Sequence, residues 1–227
     1  MSAAPAVIFD LDGTLTDSGP GILKSTRFAL ERLNAIDGTE RPIPPPETLT
    51  WIIGPPLQES FAKLVGADRG EAMLALYRER YAAVGMFESS LYPGIVAALD
   101  GLKASGYRLF VATSKLEIYA RPILEHFALT GFFEAIYGSQ PDGARANKGE
   151  LLGYLLGRER LSPSDGIVMI GDRKHDAIGA RAVDIASIGV LWGYGDAAEL
   201  AAAGADPLIE TPEQIAAAVA AVFARPR

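Results

Sequence analysis

The sequence predicts an α/β fold: a doubly wound parallel sheet with a small α-helical domain inserted after its first strand. Three observations predict it. Apolar runs without clean alternation recur along the chain, as expected of strands covered on both faces. Segments of helical character lie between them, so strand and helix alternate. Almost a hundred residues separate the first apolar run from the second. One strand–helix connection needs far fewer, so this interval holds extra structure.

The first strand is short, from about Ala6 to Asp10. The second, "YRLFVATS", ends at Thr113 and Ser114, and a weaker third, "FEAIYGS", ends near Gly138. The fourth, "GIVMIGD", runs from Gly166 to Asp172, and the fifth, "IASIGVLWG", from Ile185 to Gly193. Helices fill the intervals. "GIVAALDGLKASG" follows Tyr92-Pro93, and a helix starting near Lys115 carries Pro122 as a kink or break. "NKGELLGYLLGRER", "KHDAIGARAV", "DAAELAAAG" and "TPEQIAAAVAAVFAR" complete the set, the last with Thr211 as cap and Pro212 in its first turn. The long interval reads as "GPGILKSTRFALERLNAI", a turn and short helix in "PPPETLTWIIG", then "PLQESFAKLVG" and "EAMLALYRERYAAVG". The expected division is residues 1–17 and 91–227 as the α/β core and residues 18–90 as the helical insert. The insert is expected over the carboxyl ends of the strands, where such sheets bind ligands.

Composition narrows the function. With 227 residues, 49% of them hydrophobic, the chain can bury a sizeable core. A net charge of -7 and the lack of any basic run argue against nucleic-acid polymers and anionic membranes as partners. The absence of cysteine excludes disulfides and thiolate chemistry. No secretory leader and no apolar stretch of membrane-spanning length is visible, so the expectation is a cytoplasmic protein, monomer or homodimer, acting on a small molecule.

The strand ends carry the chemistry. In "VIFDLDGTLTDS" an apolar run ends on Asp10 and Asp12, two carboxylates that resist burial together unless something positive lies between them. The same sheet edge collects Thr113, Ser114 and Asp172, with Lys148 and Asp176 opening helices beside it. A hard divalent ion explains the carboxylates, and Mg2+ suits them, since it takes oxygen ligands and keeps several waters. Asp10 and Asp172 are the natural side-chain ligands, and residue 12 is placed to offer its backbone carbonyl. Asp176 fits a role orienting Asp172 or water. Thr113 and Ser114, with free backbone N–H groups at a helix start, suit a phosphate. Lys148 would neutralise that phosphate, with Lys115 as its competitor. Tyr77, Tyr81, Phe87 and Trp51 are candidates to stack on a base, should the substrate carry one.

These motifs resemble those of the haloacid-dehalogenase-like hydrolase superfamily. The matching residues are "DLDGT" at Asp10–Thr14, "VATS" at Val111–Ser114, Lys148 in "RANKGE", and "GDRKHD" at Gly171–Asp176. The resemblance covers essentially the whole chain and implies a Rossmann-like core, with the insert as a helical C1 cap. It implies Asp10 as nucleophile and Asp12 as general acid/base. "LYPGIVAALDGLKASGYRLFVATSK" resembles phosphoglycolate-phosphatase-like proteins, whereas "RANKGE", "GDRKHD" and "IGVLWGYG" resemble a 5'-nucleotidase-like subgroup. Lys148 precedes glycine where the phosphoglycolate type has proline, and Arg173 stands where it has serine. The implied function is a Mg2+-dependent phosphate monoester hydrolase working through an aspartyl-phosphate on a small, phosphoglycolate-like metabolite. Nucleoside 5'-monophosphates are the alternative substrates; a sugar phosphomutase and a non-enzymatic scaffold are further alternatives. Gly54 and Pro55 in "WIIGPPLQESF" would form the specificity loop of the cap.

Overall fold

The computed structural model describes residues 4–225. The chain divides into two compact units, Met1–Thr16 with Leu91–Arg227, and Asp17–Ser90. It crosses between them within two short strands, Thr16–Asp17 (β2) and Ser90–Leu91 (β3), which pair with each other.

The first unit is built on a six-stranded parallel sheet. Its strands are Ala6–Phe9 (β1), Arg108–Leu116 (β4), Ala135–Ser139 (β5), Ile167–Gly171 (β6), Ala186–Val190 (β7) and Leu208–Ile209 (β8), in the order β5-β4-β1-β6-β7-β8. β1 is central and entirely buried. Its Phe9 pairs with Val111 on one side and Ile170 on the other, so the residues that follow all three strands emerge at one edge. Alternate residues of a strand face opposite sides. Ala6 and Ile8, with Phe110, Ala112 and Met169, pack against Leu151, Leu152, Leu155 and Ala180 on helices Lys148–Glu159 (α6) and Lys174–Ala182 (α7). Each such fully buried leucine contributes roughly 2 kcal/mol of transfer free energy. On β1's other face, Phe9 meets Phe133 edge-on, ring centroids 6.2 Å apart. Helices Ile95–Ala104 (α4), Glu117–His126 (α5), Ala197–Ala203 (α8) and Ile215–Phe223 (α9) complete the unit.

Several elements differ from the sequence expectation. β4 continues through Leu116, so the helix expected near Lys115 begins at Glu117. Pro122 lies inside a continuous α5 and does not break it. The pair β7–β8 adds a sixth strand. The last helix begins as a 3-10 turn, Pro212–Gln214, where Gln214 accepts from the Glu210 and Thr211 N–H groups.

The second unit is helical, with Gly19–Asp37 (α1), Leu57–Val65 (α2) and Ala67–Ala83 (α3). Its core holds Ile22, Leu30, Leu33, Phe61, Met73 and Tyr77. Tyr77 lies edge-on to Phe61 at 5.3 Å and stacks on Tyr81 at 5.1 Å. These two tyrosines are only 2% exposed, so they are packing residues and not base-stacking platforms; Trp51 and Phe87 are 37% and 40% exposed. The segment read as a turn and short helix forms two 3-10 turns, Pro46–Thr48 and Thr50–Ile52. No helix among the described residues is long and apolar enough to cross a membrane.

Candidate active site

The carboxyl edge of the sheet positions the site. Asp10 follows β1 directly, and its backbone N–H is held by the Ile170 carbonyl at 2.9 Å. Its Oδ1 accepts the Leu11 N–H at 2.7 Å. Asp172 follows β6 and is fully buried. Lys148 is the first residue of α6, whose cap Asn147 accepts the Gly149 and Glu150 N–H groups at 2.8 and 3.3 Å. The cap anchors the start of α6, and the Lys148 ammonium lies 3.1 Å from Asp10 Oδ1 and 2.8 Å from Asp176 Oδ1. It also donates to the Ala112 carbonyl of β4 at 2.9 Å. Thus β1, β4, α6 and α7 converge on one buried amine. Asp176 Oδ2 accepts the Arg173 N–H at 3.2 Å.

Thr113 and Ser114 lie within the last half of β4, before Lys115 and Leu116, with Thr113 buried. They do not open a helix; Thr113 Oγ1 accepts the Lys115 N–H at 3.2 Å. Asp12 is buried too, its Oδ2 2.9 Å from the Lys115 ammonium and its Oδ1 without a hydrogen-bond partner. Gly54 and Pro55 lie in the helical unit, between the turn Thr50–Ile52 and α2, with Gly54 at φ +105°.

The loop after β7 supplies further supporting residues. The Tyr194 N–H donates to Asp172 Oδ2 at 2.7 Å, and a Cβ on Gly193 or Gly195 would collide with Asp172. The Trp192 indole donates to the Thr14 carbonyl at 3.0 Å. The loop after β7 therefore braces both Asp172 and the turn after Asp10. Arg173 is buried and pairs with Glu199 at 2.8 Å.

A family model described as haloacid dehalogenase-like hydrolase matches residues 7–190. The chain belongs to that family. Among the relatives of this hydrolase, a 5'-nucleotidase of Pseudomonas aeruginosa is 44% identical over 200 residues, covering 87% of each chain. A tyrosine-protein kinase PtkA of Mycobacterium tuberculosis is 44% identical over 191 residues, 84% of this chain but 63% of that protein. Relatives named phosphoglycolate phosphatase match at 29–32% identity. The solved structure of a predicted phosphatase from Clostridium acetobutylicum superposes with a TM-score of 0.86 at 38% identity, covering 94% of this chain and 97% of that one. The hydrolase is a phosphatase with a Rossmann-like core.

The charges of this phosphatase's site call for a cation. Burial pushes the Asp10 carboxyl up to about 6, against the pull of Lys148 and with Asp176 and Asp12 adding to the rise. Burial, then the carboxylates of Asp176 and Asp10, push Asp172 well above the usual range. Burial disfavours the Lys148 ammonium, but Asp10 and Asp176 outweigh it and hold its pKa up to about 12. Asp10, Asp172 and Asp176 each offer an oxygen, all within 4.8 Å of one another. The Lys148 ammonium pairs with Asp10 and Asp176, and that of Lys115 with Asp12. Buried carboxylates short of positive partners, all oxygen donors, fit a hard divalent ion such as Mg2+.

Proposed function

We propose that this phosphatase hydrolyses a small phosphate monoester through an aspartyl-phosphate on Asp10, with Mg2+ as cofactor. The observation that carries the reading is the Lys148 ammonium, within 3.1 Å of Asp10 and beside Asp176 in the buried cluster with Asp172. Asp10 and Asp172, with the residue 12 carbonyl, would hold the metal, and Asp176 orients that shell. When bound, Mg2+ supplies charge neutralisation between the anionic nucleophile and the phosphate.

Lys148 and Thr113, with Ser114 beside them, bind and orient the transferring phosphoryl group and hold its developing charge. An Asp10 oxygen bonds to phosphorus as the ester P–O bond breaks. Asp12 gives its proton to the departing alkoxide oxygen. It then takes a proton from the water that cleaves the aspartyl-phosphate, releasing inorganic phosphate and restoring both residues. The helical unit supplies substrate discrimination, with the Gly54-Pro55 turn as its specificity loop. The enzyme works on soluble metabolites in the cytoplasm, as monomer or homodimer.

Nucleoside 5'-monophosphates take precedence over phosphoglycolate as substrates. The relative named 5'-nucleotidase is 44% identical, against 29–32% for those named phosphoglycolate phosphatase. Trp51 and Phe87 remain exposed aromatics on the helical unit, suited to a base. Asp10→Asn is expected to abolish turnover of p-nitrophenyl phosphate and leave no phosphate on acid-quenched protein. Chelation of Mg2+ is expected to stop the wild-type enzyme until the ion is restored. Full activity in Asp10→Asn, or indifference to chelator, refutes the mechanism. A parallel hydrolysis screen of nucleoside 5'-monophosphates, phosphoglycolate and sugar phosphates decides the substrate; highest kcat/KM for phosphoglycolate would reverse this order of preference.

A further inference from the structure

We infer that Lys115 is a positioning residue for proton transfer: it grips Asp12 by Oδ2 and so leaves Oδ1 as the oxygen that exchanges the proton. The inference rests on the role proposed above for Asp12.

Three observations carry it. The Lys115 ammonium lies 2.9 Å from Asp12 Oδ2, in a side chain only 6% exposed. Asp12 Oδ1 is buried and lacks a hydrogen-bond partner. A buried carboxylate oxygen left bare costs free energy, so its persistence at a reacting centre points to a transient partner. The third observation is the backbone that delivers Lys115. β4 runs in register with β5 up to Thr113 opposite Gly138, and then Leu116 pairs with Ser139. Two residues, Ser114 and Lys115, are thus accommodated in β4 where β5 has none. Bulges of this kind re-aim side chains beside active sites.

The irregular segment is fastened at each residue. The Lys115 N–H donates to Thr113 Oγ1 at 3.2 Å, and the Ser139 hydroxyl donates to the Ser114 carbonyl at 2.7 Å. Gly138 lets the segment approach closely, since a Cβ there would lie 2.6 Å from the Lys115 carbonyl oxygen. A solvated lysine at a strand end needs none of these restraints. The ammonium beside Asp12 is that of Lys115, whereas Lys148 lies against Asp10, Asp176 and the Ala112 carbonyl.

The consequence is selective. Asp12 protonates an alkoxide leaving group, whereas p-nitrophenolate departs without a proton. In Mg2+ buffer, rapid-quench single turnovers of Lys115→Met should slow alcohol release from a nucleoside 5'-monophosphate, or whichever alkyl ester the enzyme turns over, by ~10- to 100-fold more than p-nitrophenolate release. Asp12→Asn should show the same preference, and adding Lys115→Met to it should not widen the ratio. Equal slowing of both esters, or a wider ratio in the double variant, overturns the inference. A crystal structure of Lys115→Met, or of Lys115→Gln should the first fail to fold, gives a readout independent of turnover. Asp12 is expected in a different rotamer, and Asp12 unmoved there overturns the inference. Failure of Asp12→Asn to separate the two esters instead refutes Asp12 as the acid, and leaves the rotamer to decide the role of Lys115.

Discussion

At the scale of single residues the site depends on groups with no side chain as much as on its acids. Gly13 holds φ +78°, and a Cβ there would collide with the Asp172 carboxylate. Gly38 has a similar backbone, φ +62°, yet nothing lies within 4 Å of where its Cβ would be. The pair separates strain from collision. Gly38→Ala is expected to cost about 1–2 kcal/mol of stability, the penalty of a left-handed alanine, with turnover unchanged. Gly13→Ala adds displacement of a proposed metal ligand, and its Mg2+-dependent kcat/KM should fall on the order of 100-fold. Denaturation curves and steady-state rates check both; equal turnover in the two variants would show that Asp172 tolerates the added methyl. Asp10, Asp12 and Asp172 are legible in the sequence because each ends or follows an apolar strand, and burying an acid there demands a reason. The grip of Lys115 on Asp12 is not legible, because a two-residue strand irregularity leaves no mark in local composition. The same holds for the Tyr194 N–H, which reaches Asp172 across 22 positions by its backbone alone.

At the scale of elements, ion pairs add to the apolar core in tying the helical unit together. Arg80 of α3 donates to both carboxylate oxygens of Glu88, at 2.7 and 3.1 Å, and to Ser25 Oγ of α1 at 3.1 Å. The Arg80 hydrogen bonds hold the Glu88 carboxyl below its ordinary value of 4.5, burial opposing and Lys24 assisting. A depressed carboxylate binds its proton more weakly in the folded state. Its contribution is therefore complete above the unfolded value near pH 4.5 and is lost as pH falls through the folded one. Glu88→Gln should be less stable than wild type at pH 7, by under about 1 kcal/mol for a pair partly open to solvent, and the gap should close as pH falls through the depressed folded-state value. Urea denaturation at pH 7 and below that value measures it; a gap that persists in acid means that the substituted amide packs badly rather than that a charge was lost. The helices themselves were legible from their caps and periodicity, α6 with Asn147 before it and α1 with Gly38 after it. The end of β4 was not: a lysine and a glutamate after "VATS" read as a helix start, whereas pairing with β5 keeps the chain extended to Leu116.

At the scale of the whole chain, the insertion was legible from an interval far longer than one strand–helix connection needs. Its function was not, since helices chosen for packing, with Tyr77 and Tyr81 buried, carry no readable substrate preference. The two units have separate cores. The cluster of Ile8, Phe110, Met169, Leu151 and Leu155 draws only on residues of the first unit. Every proposed catalytic, phosphate-binding and metal-binding residue also belongs to the first unit, whose sheet is paired wholly within itself. The chain leaves at Thr16–Asp17 and returns at Ser90–Leu91 through paired strands, so its ends at the excision point are already neighbours. Replacing residues 17–90 by a short Gly-Ser linker should therefore leave a cooperatively melting protein whose melting temperature rises with Mg2+. It should still release p-nitrophenolate from p-nitrophenyl phosphate, while the kcat/KM ratio between nucleoside 5'-monophosphates and phosphoglycolate falls towards one. Circular dichroism melts with and without Mg2+ test the first expectation, and the same substrate pair tests the second. Retained discrimination in the excised protein would move specificity from the Gly54-Pro55 turn to the strand ends, and the search for its determinants would then begin at Ser114 and the loop after β7.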